Sequence, residues 1–337
     1  MNYLVSIILP VYNGEAFLTK AIDSCLQQTY GNFELIIVND CSTDNSGKIA
    51  ENYKLQDSRI KVIHNRTNKK LPASLNIGHQ AANGEYFTWT SDDNLLKSNF
   101  LKTLMASITL RNADIAFANY DIISSNGLVR REHVPGPLSH LLFGNTIGAA
   151  FLYNKKVFQT LNGYNEQFHL IEDYDFWLRA STKFKFIHID ANIYKYRVHK
   201  NSLSVGFWFN PDKNKQIVEL TAKVYSNFCN DHNFSRKTAN FLFKLNRKQL
   251  TFVNYQENFR IVKRDLQKYD ELVKGSCNSS SLDKLNQIVR NYFKSDLFEK
   301  SPAILLWLMR KQPGVLFSGH YSKKESFRLI FAFLRLN

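Results

Sequence analysis

A chain of 337 residues that is 44% hydrophobic can bury a sizeable core in one large or two smaller domains. Its four cysteines (Cys25, Cys41, Cys229, Cys277) lack CxxC spacing, which argues against a zinc site or a disulfide framework, and its longest apolar run, 303–309, is far below the ~18 residues of a spanning helix. The formal charge of +15 is uneven, with 21 Lys/Arg against 18 Asp/Glu in residues 1–204 and 23 against 11 in 205–337, so a boundary is expected near residue 205 with an anionic surface facing the second part.

Met1 to Val5 leads straight into a strand with no basic n-region, so no signal peptide is expected. The run 5–11 reads as a buried parallel strand, apolar on both faces, with Pro10 ending its pairing. Tyr12-Asn13-Gly14-Glu15 is a turn, followed by a helix with Phe17, Leu18, Ala21, Ile22, Cys25 and Leu26 on one stripe. A second strand spans 33–39, and its exit loop holds Asp40 and Asp44. A polar helix, a third strand at 60–64, a helix from Pro72 and a fourth strand at 86–90 follow. Thr90-Ser91-Asp92-Asp93-Asn94 leaves that strand, with Asn94 expected to cap a helix from Leu95. Strand and helix alternate strictly, so the sheet should be mostly parallel and doubly wound, with ligands outside the carboxyl ends of the strands. Tyr12-Asn13, Asp40 and Asp92-Asp93 would then share one rim.

Further on, strands are expected at 115–119, 147–153, 184–189 and 193–198. Glu172-Asp173 opens a helix to Ser181, where the helix dipole favours acids. After 205 the strands stop, 216–228, 235–245, 259–273 and 282–293 read as helices, and the last stretch, 326–336, carries Phe327, Leu329, Ile330, Phe331, Phe333 and Leu334 with Arg328 and Arg335.

Two adjacent carboxylates at the exit of a buried strand need a cation or donor partner. Hard oxygens suit Mg²⁺ or Mn²⁺, which one or two carboxylates hold together with substrate phosphates. Asp40 at the rim can accept from a base or ribose, Tyr12 can stack on a base, and Lys69-Lys70 can meet a diphosphate as point charges. Asp44 reads as a helix cap. Glu172-Asp173 can deprotonate a hydroxyl. A dinucleotide oxidoreductase is disfavoured, since no GxGxxG follows the first strand. A nucleotidyltransferase gives no reason for Glu172-Asp173 with His199, and a nucleic-acid binder would need a module that is absent. A non-catalytic sugar-nucleotide-binding protein is the alternative from another class.

Six stretches, Pro10-Val-Tyr-Asn-Gly-Glu15, Asn39-Asp-Cys-Ser-Thr-Asp44, Gly84–Asn94, Gly163-Tyr-Asn-Glu166, Glu172–Arg179 and Tyr196–Ser204, occur in an order that resembles the family-2 glycosyltransferases of GT-A fold over residues 3–204. The chain is also similar to bacterial polysaccharide and lipopolysaccharide sugar transferases. The resemblance implies an α/β GT-A domain over 1–204, a Rossmann-like mostly parallel sheet flanked by helices, with a C-terminal helical extension over 205–337. It implies an inverting transfer from a nucleotide-sugar, most often a UDP-sugar, to a hydroxyl of a glycan or lipid-linked acceptor, with Mn²⁺ or Mg²⁺. Donor binding would fall to Pro10, Tyr12, Asn13, Glu15, Asp40, Lys70 and Asp92, the metal to Asp93 and His199, and catalysis to Asp173 as base with Glu172. Many relatives carry Asp-x-Asp where this chain has Ser91-Asp92-Asp93, so the metal depends chiefly on Asp93. The implied location is the cytoplasm, with the basic amphipathic tail suited to the anionic inner face of the plasma membrane.

Overall fold

The computed structural model describes residues 2–203, 211–273, 275 and 279–334; the 204/205 boundary, Cys277 and the end of the last stretch beyond Leu334 lie outside them. Contacts divide the chain into two compact units, 1–224 and 225–337.

The first unit carries strands β1 (Val5–Val11), β2 (Phe33–Asn39), β3 (Ile60–His64), β4 (Tyr86–Trp89), β5 (Leu95–Leu96), β6 (Ile115–Ser124), β7 (Val129–His133), β8 (Phe151–Asn154) and β9 (Phe186–Val198). Its helices are α1 (Glu15–Leu26), α2 (Ser46–Gln56), α3 (Leu71–Gln80), α4 (Phe100–Arg111), α5 (Lys155–Thr160) and α6 (Glu172–Ser181). The nine strands form one sheet in the order β3-β2-β1-β4-β8-β6-β9-β5, with β7 on β6. Pairs β1–β2, β1–β4, β2–β3 and β6–β9 are parallel. Strand β8 is antiparallel to both β4 and β6, so β6 and β9 point the same way as β1–β4. The sheet is mixed: six strands run the same way, as the alternation of strand and helix predicted, with β5, β7 and β8 reversed.

All seven residues of β1 are buried, as a strand covered on both faces requires. Ile7 and Leu9 join a core with Leu35 and Ile37, the α1 residues Leu18, Ala21, Ile22 and Cys25, and Leu101, Leu104 and Ile108 of α4. On the other face α3 approaches closely: a Cβ on Gly78 would sit 2.5 Å from Ile8 Cγ2, so glycine is needed there. Cys25, Cys41 and Cys229 are free thiols, in line with the cysteine spacing.

Three local expectations are corrected. Pro10 does not end β1; it pairs in register with Val38. The Val11 carbonyl accepts from Asp40 N and the Ile8 carbonyl from Thr90 N, so alternation turns Pro10 toward β4, whose pairing with β1 ends at Trp89. The missing N–H therefore breaks no ladder bond. Leu95-Leu96 starts no helix; it pairs with β9, and α4 begins at Phe100. The two strands expected at 184–198 are one strand with register shifts opposite 118–120. The turn-like Asp190 and Asn192 there bind across the sheet, Asp190 Oδ1 accepting from Asn119 Nδ2 at 2.9 Å and Asn192 Nδ2 donating to Asp121 Oδ1 at 2.6 Å. Strand β7 has almost all its side chains exposed, so no buried pattern marks it in the sequence.

Helix α7 (Pro211–Asp231) crosses the division between the units. The second unit continues with α8 (Arg236–Asn246), α9 (Phe252–Leu272), α10 (Ser281–Lys294), α11 (Pro302–Lys311) and α12 (Lys323–Leu334). Ser235, Thr251, Ser280 and Ser301 each cap the next helix, their hydroxyls accepting from Lys237, Asn254, Leu282 and Ile304 N–H groups. Tyr255, Val262, Leu266, Tyr269, Val289 and Phe293 are buried in this unit's own core.

Candidate active site

Parallel strands end on one edge, so the loops after β1, β2, β4 and β9 share a rim. That rim holds Tyr12, Asp40, Asp92-Asp93 and His199. Tyr12 is 52% exposed, consistent with a free aromatic face.

Asp40 is buried, and the loop 65–70 closes around it. Its Oδ1 accepts from Asn65 Nδ2 and Lys69 N, both at 2.8 Å, and its Oδ2 accepts from Lys70 N at 2.9 Å. A carboxylate has about four acceptor positions, so Oδ2 has room for one further donor. Lys70 adopts a left-handed φ of 71°, a conformation that costs a non-glycine residue free energy and is held by the Asp40 bond. Its side chain is exposed at the head of α3.

Asn13 and Glu15 join two loops. Asn13 Oδ1 accepts from Thr43 N at 2.8 Å, and Glu15 Oε2 accepts from both Asn45 N and Asn45 Nδ2 at 2.9 Å. Asp44 answers from the other side, accepting from Glu15 N and Ser46 N. It holds the entry to α2, as a cap would, and also ties the β1 exit loop to the β2 exit loop. Between them Gly14 lies under Asp92: a Cβ there would be 1.8 Å from Asp92 Oδ2.

Asp92 and Asp93 are partly buried. Burial, then the charge of Asp93, pushes the Asp92 carboxyl up to about 8. Burial also raises Asp93, against the pull of His199. His199 Nε2 lies 3.0 Å from Asp93 Oδ2, so the two residues implied as metal ligands meet although they are 106 positions apart. Asn201 N–H donates to His199 Nδ1, so in the neutral ring Nε2 carries the proton and donates to Asp93. Asn94 does not cap a helix; its Oδ1 accepts from Arg197 N at 2.7 Å. Arg197, missed in the sequence, is 3% exposed and grips the same turn. Its Nε donates to the Asp93 carbonyl at 2.7 Å, its Nη1 reaches the carbonyls of Ser124 and Ser125, and its guanidinium lies 4.7 Å above the Phe17 ring. Its position two residues before His199 at a strand end was the available signal.

Glu172 and Asp173 form the first turn of α6. Burial, then Asp173, lifts Glu172 to about 8, and burial raises Asp173 as well. Glu172 Oε2 accepts from Leu170 N at 2.7 Å. Asp173 Oδ1 accepts from Tyr174 N and Oδ2 from Asn145 Nδ2, both at 2.7 Å, so Asn145 orients the carboxylate that the resemblance implies as base. Nothing in the sequence distinguishes Asn145 from other loop asparagines.

The Gly163–Glu166 stretch anchors this helix. Asn76 donates to the Tyr164 carbonyl and accepts from Tyr164 N, both at 2.9 Å. Gly163 has φ 74°, and a Cβ on it would meet Asn76 Oδ1 at 2.6 Å. Arg179 pairs with Asp175 at 2.7 Å and donates to the carbonyls of Leu161 and Gly163, locking the turn to α6. The Tyr164 hydroxyl then reaches β4, accepting from Trp89 Nε1 at 2.8 Å. Tyr153 and His79 complete a buried chain: Tyr164 O to Tyr153 O 3.1 Å, Tyr153 O to His79 Nε2 2.6 Å, and His79 Nδ1 to the Leu75 carbonyl 2.7 Å. A carbonyl only accepts, so Nδ1 carries the imidazole proton and each hydroxyl donates toward the histidine. Burial lowers His79 to about 4, which keeps it neutral.

A family model described as Glycosyl transferase family 2 matches residues 6–171. The Escherichia coli enzyme WfgD, a UDP-Glc:alpha-D-GlcNAc-diphosphoundecaprenol beta-1,3-glucosyltransferase, is 30% identical over 206 residues, covering 60% of this chain and 80% of WfgD. The chain belongs to glycosyltransferase family 2. S. aureus TarS 1-349, solved in complex with UDP-GlcNAc, shares the fold with a TM-score of 0.60 at 18% identity, covering 87% of each chain. The Pyrobaculum calidifontis mannosyltransferase PcManGT, solved with GDP-Man and Mn2+, gives 0.53 at 11%, covering 98% of this chain and 84% of its own. This family-2 chain spans 40%, 63%, 33% and 31% of the lengths of the first four curated relatives that it matches.

In a family-2 chain the donor set at Asp93 and His199 can be tested for a divalent cation. Among the described residues no three ligating side chains come together. Asp93 and His199 nevertheless offer one oxygen and, once the ring proton shifts from Nε2 to Nδ1 at the expense of the Asn201 N–H contact, one nitrogen, each side chain 15% exposed, and burial leaves the carboxylate short of compensating charge. Such a pair fits Mg²⁺ or Mn²⁺, provided that phosphate oxygens and water fill the remaining positions.

Proposed function

We propose that the chain is an inverting glycosyltransferase that moves a sugar from a UDP-sugar to a hydroxyl of a glycan or lipid-linked acceptor in cell-surface polysaccharide synthesis. The observation that carries this reading is the pairing of Asp93 with His199 on the rim that also holds Tyr12 and Asp40, in a unit that carries a second buried acid pair. The nucleoside donor in TarS and the diphosphoundecaprenol acceptor in the name of WfgD support the substrate classes.

Tyr12 stacks on the nucleobase, and the open position on Asp40 Oδ2 takes a base N–H. Pro10, Asn13 and Glu15 shape the loop beneath, with Asn13 and Glu15 tied to residues 43 and 45. Asp92 reaches the ribose, and Lys70 offers its charge to the diphosphate. Asp93 and His199 hold the divalent cation, which when bound neutralises charge on the leaving diphosphate. Asp173, its lone pairs directed by Asn145 and Tyr174 N–H, takes the proton of the acceptor hydroxyl as that oxygen attacks the anomeric carbon. Glu172 beside it raises the basicity of the pair. Attack opposite the departing UDP inverts the anomeric centre.

The test is UDP release from a panel of sugar nucleotides, with and without undecaprenyl-diphosphate-linked glycan acceptors, and the anomeric configuration of the product by NMR. Acceptor-dependent release and an inverted product are expected. UDP binding with no release from any sugar nucleotide would instead make the chain a non-catalytic sugar-nucleotide-binding protein.

A further inference from the structure

Helix α12 carries two apolar faces rather than one. Leu329 and Phe333 are buried with Ser326, at spacings of three and four residues, and pin the helix to its own unit. Phe327, Phe331 and Leu334, at spacings of four and three, are 57%, 62% and 49% exposed. At ~100° per residue these stripes lie roughly 130° apart around the helix. A single exposed Leu is ordinary, but three large apolar side chains aligned on one helix face need an occupant.

The surroundings select it. Lys323, Lys324 and Arg328 are exposed on the same helix. Glu325, the acid between them, accepts from Ser322 N and Oγ and faces Lys294 at 3.9 Å, so it offsets little of that charge. The neighbouring α11, which packs on α12, adds exposed Leu306 and Met309 just before exposed Arg310 and Lys311. A second copy docked face to face would set these cations against their own counterparts. An anionic bilayer satisfies both features at once. No helix among the described residues is long and apolar enough to cross a membrane, and twelve residues reach only about 18 Å, so α12 would lie in the interface plane.

We infer that the exposed face of α12 docks on an anionic lipid bilayer, with Phe327, Phe331 and Leu334 entering the boundary between headgroups and acyl chains and Lys323, Lys324 and Arg328 meeting lipid phosphates. This contact stands apart from the transferase reading and uses none of its residues.

The test is flotation of the full chain with vesicles of phosphatidylcholine, alone or with 30 mol% phosphatidylglycerol (roughly the anionic range in which polybasic surfaces respond). Binding to the anionic vesicles alone is expected. F327S/F331S should weaken it at least ~10-fold, and K324E/R328E, which keeps the apolar stripe, also at least ~10-fold, with a steep loss in added salt. Both variants should retain the wild-type circular dichroism and melting temperature, since neither touches Leu329 or Phe333. Equal flotation on neutral and anionic vesicles, unchanged binding in either folded variant, or dimerisation through this face without vesicle binding each overturns the inference.

Discussion

Burial first, then the charge of Asp173, sets the working state of Glu172. Its carboxyl is raised to about 8 in the folded unit, against roughly 4.3 in an unfolded chain. Between those values the folded state binds more protons than the unfolded state, so the contribution to stability is present at low pH and is lost as pH rises from about 4 to about 8. Glu172→Gln removes this dependence, and its amide oxygen can still accept from Leu170 N–H. The variant should melt above wild type at pH 8 and level with it near pH 4.5. Thermal melts at three pH values check this, and a variant melting below wild type at pH 8 would mean that the ionised form is the stabilised one. Gly14 makes a sharper case, because its substitution acts on the ligand and hardly on the core. A methyl placed 1.8 Å from Asp92 Oδ2 must displace that carboxylate. Gly14→Ala should therefore weaken UDP binding ~10-fold or more while melting within a few degrees of wild type; calorimetric titration with UDP reads the first and a thermal melt the second.

Among the elements, β4 and α6 matter most, since each delivers one acid pair. They are joined by the Trp89–Tyr164–Tyr153–His79 chain, whose donors all run one way. Tyr164→Phe leaves the Trp89 N–H without an acceptor and the Tyr153 oxygen without a donor. Loss of a buried partner of this kind costs about 1–3 kcal/mol, read by urea unfolding. Because the Tyr164 turn leads into α6, turnover should fall while UDP affinity changes less than twofold. Equal losses in both would show the chain to be scaffold for the whole unit. Sequence spacing could not show this chain, since Trp89 and Tyr164 are 75 residues apart and each reads as an ordinary core aromatic. The rim was legible for the opposite reason: polar residues directly after buried strands stand out from what surrounds them, as at Asp40 and Asp92-Asp93. Strands β1, β2 and β3 were bounded correctly because each apolar-rich run stops at polar residues, Tyr12-Asn13, Asp40 and Asn65. Strand β5 is two residues long, and β9 hides polar residues whose partners lie on β6, so neither has a local pattern. Asn145 was illegible too, because its value lies in a 2.7 Å contact with Asp173 across a loop.

At the scale of the whole first unit, the acids proposed for the donor and those proposed for the acceptor are held by different elements. Asp93 and His199 leave the carboxyl ends of β4 and β9, two strands that β8 and β6 hold apart in the sheet, and only the closure of the rim brings them to 3.0 Å. Glu172 and Asp173 sit instead on a helix positioned by Asn76, Arg179 and Tyr164. If the two sets divide the labour, single substitutions should separate binding from chemistry. Asp93→Ala and His199→Ala should each lower UDP affinity at least ~10-fold in the presence of Mn²⁺, and added chelator should bring wild type to the same level. Asp173→Asn keeps the shape of the side chain and removes the base, so UDP affinity should stay within about twofold while turnover falls ~10²–10⁴-fold. Calorimetric titration with UDP, with and without metal, reads the first quantity independently of activity. Loss of UDP affinity in Asp173→Asn equal to that in Asp93→Ala would place both acid pairs on the donor and leave the acceptor hydroxyl without an assigned base.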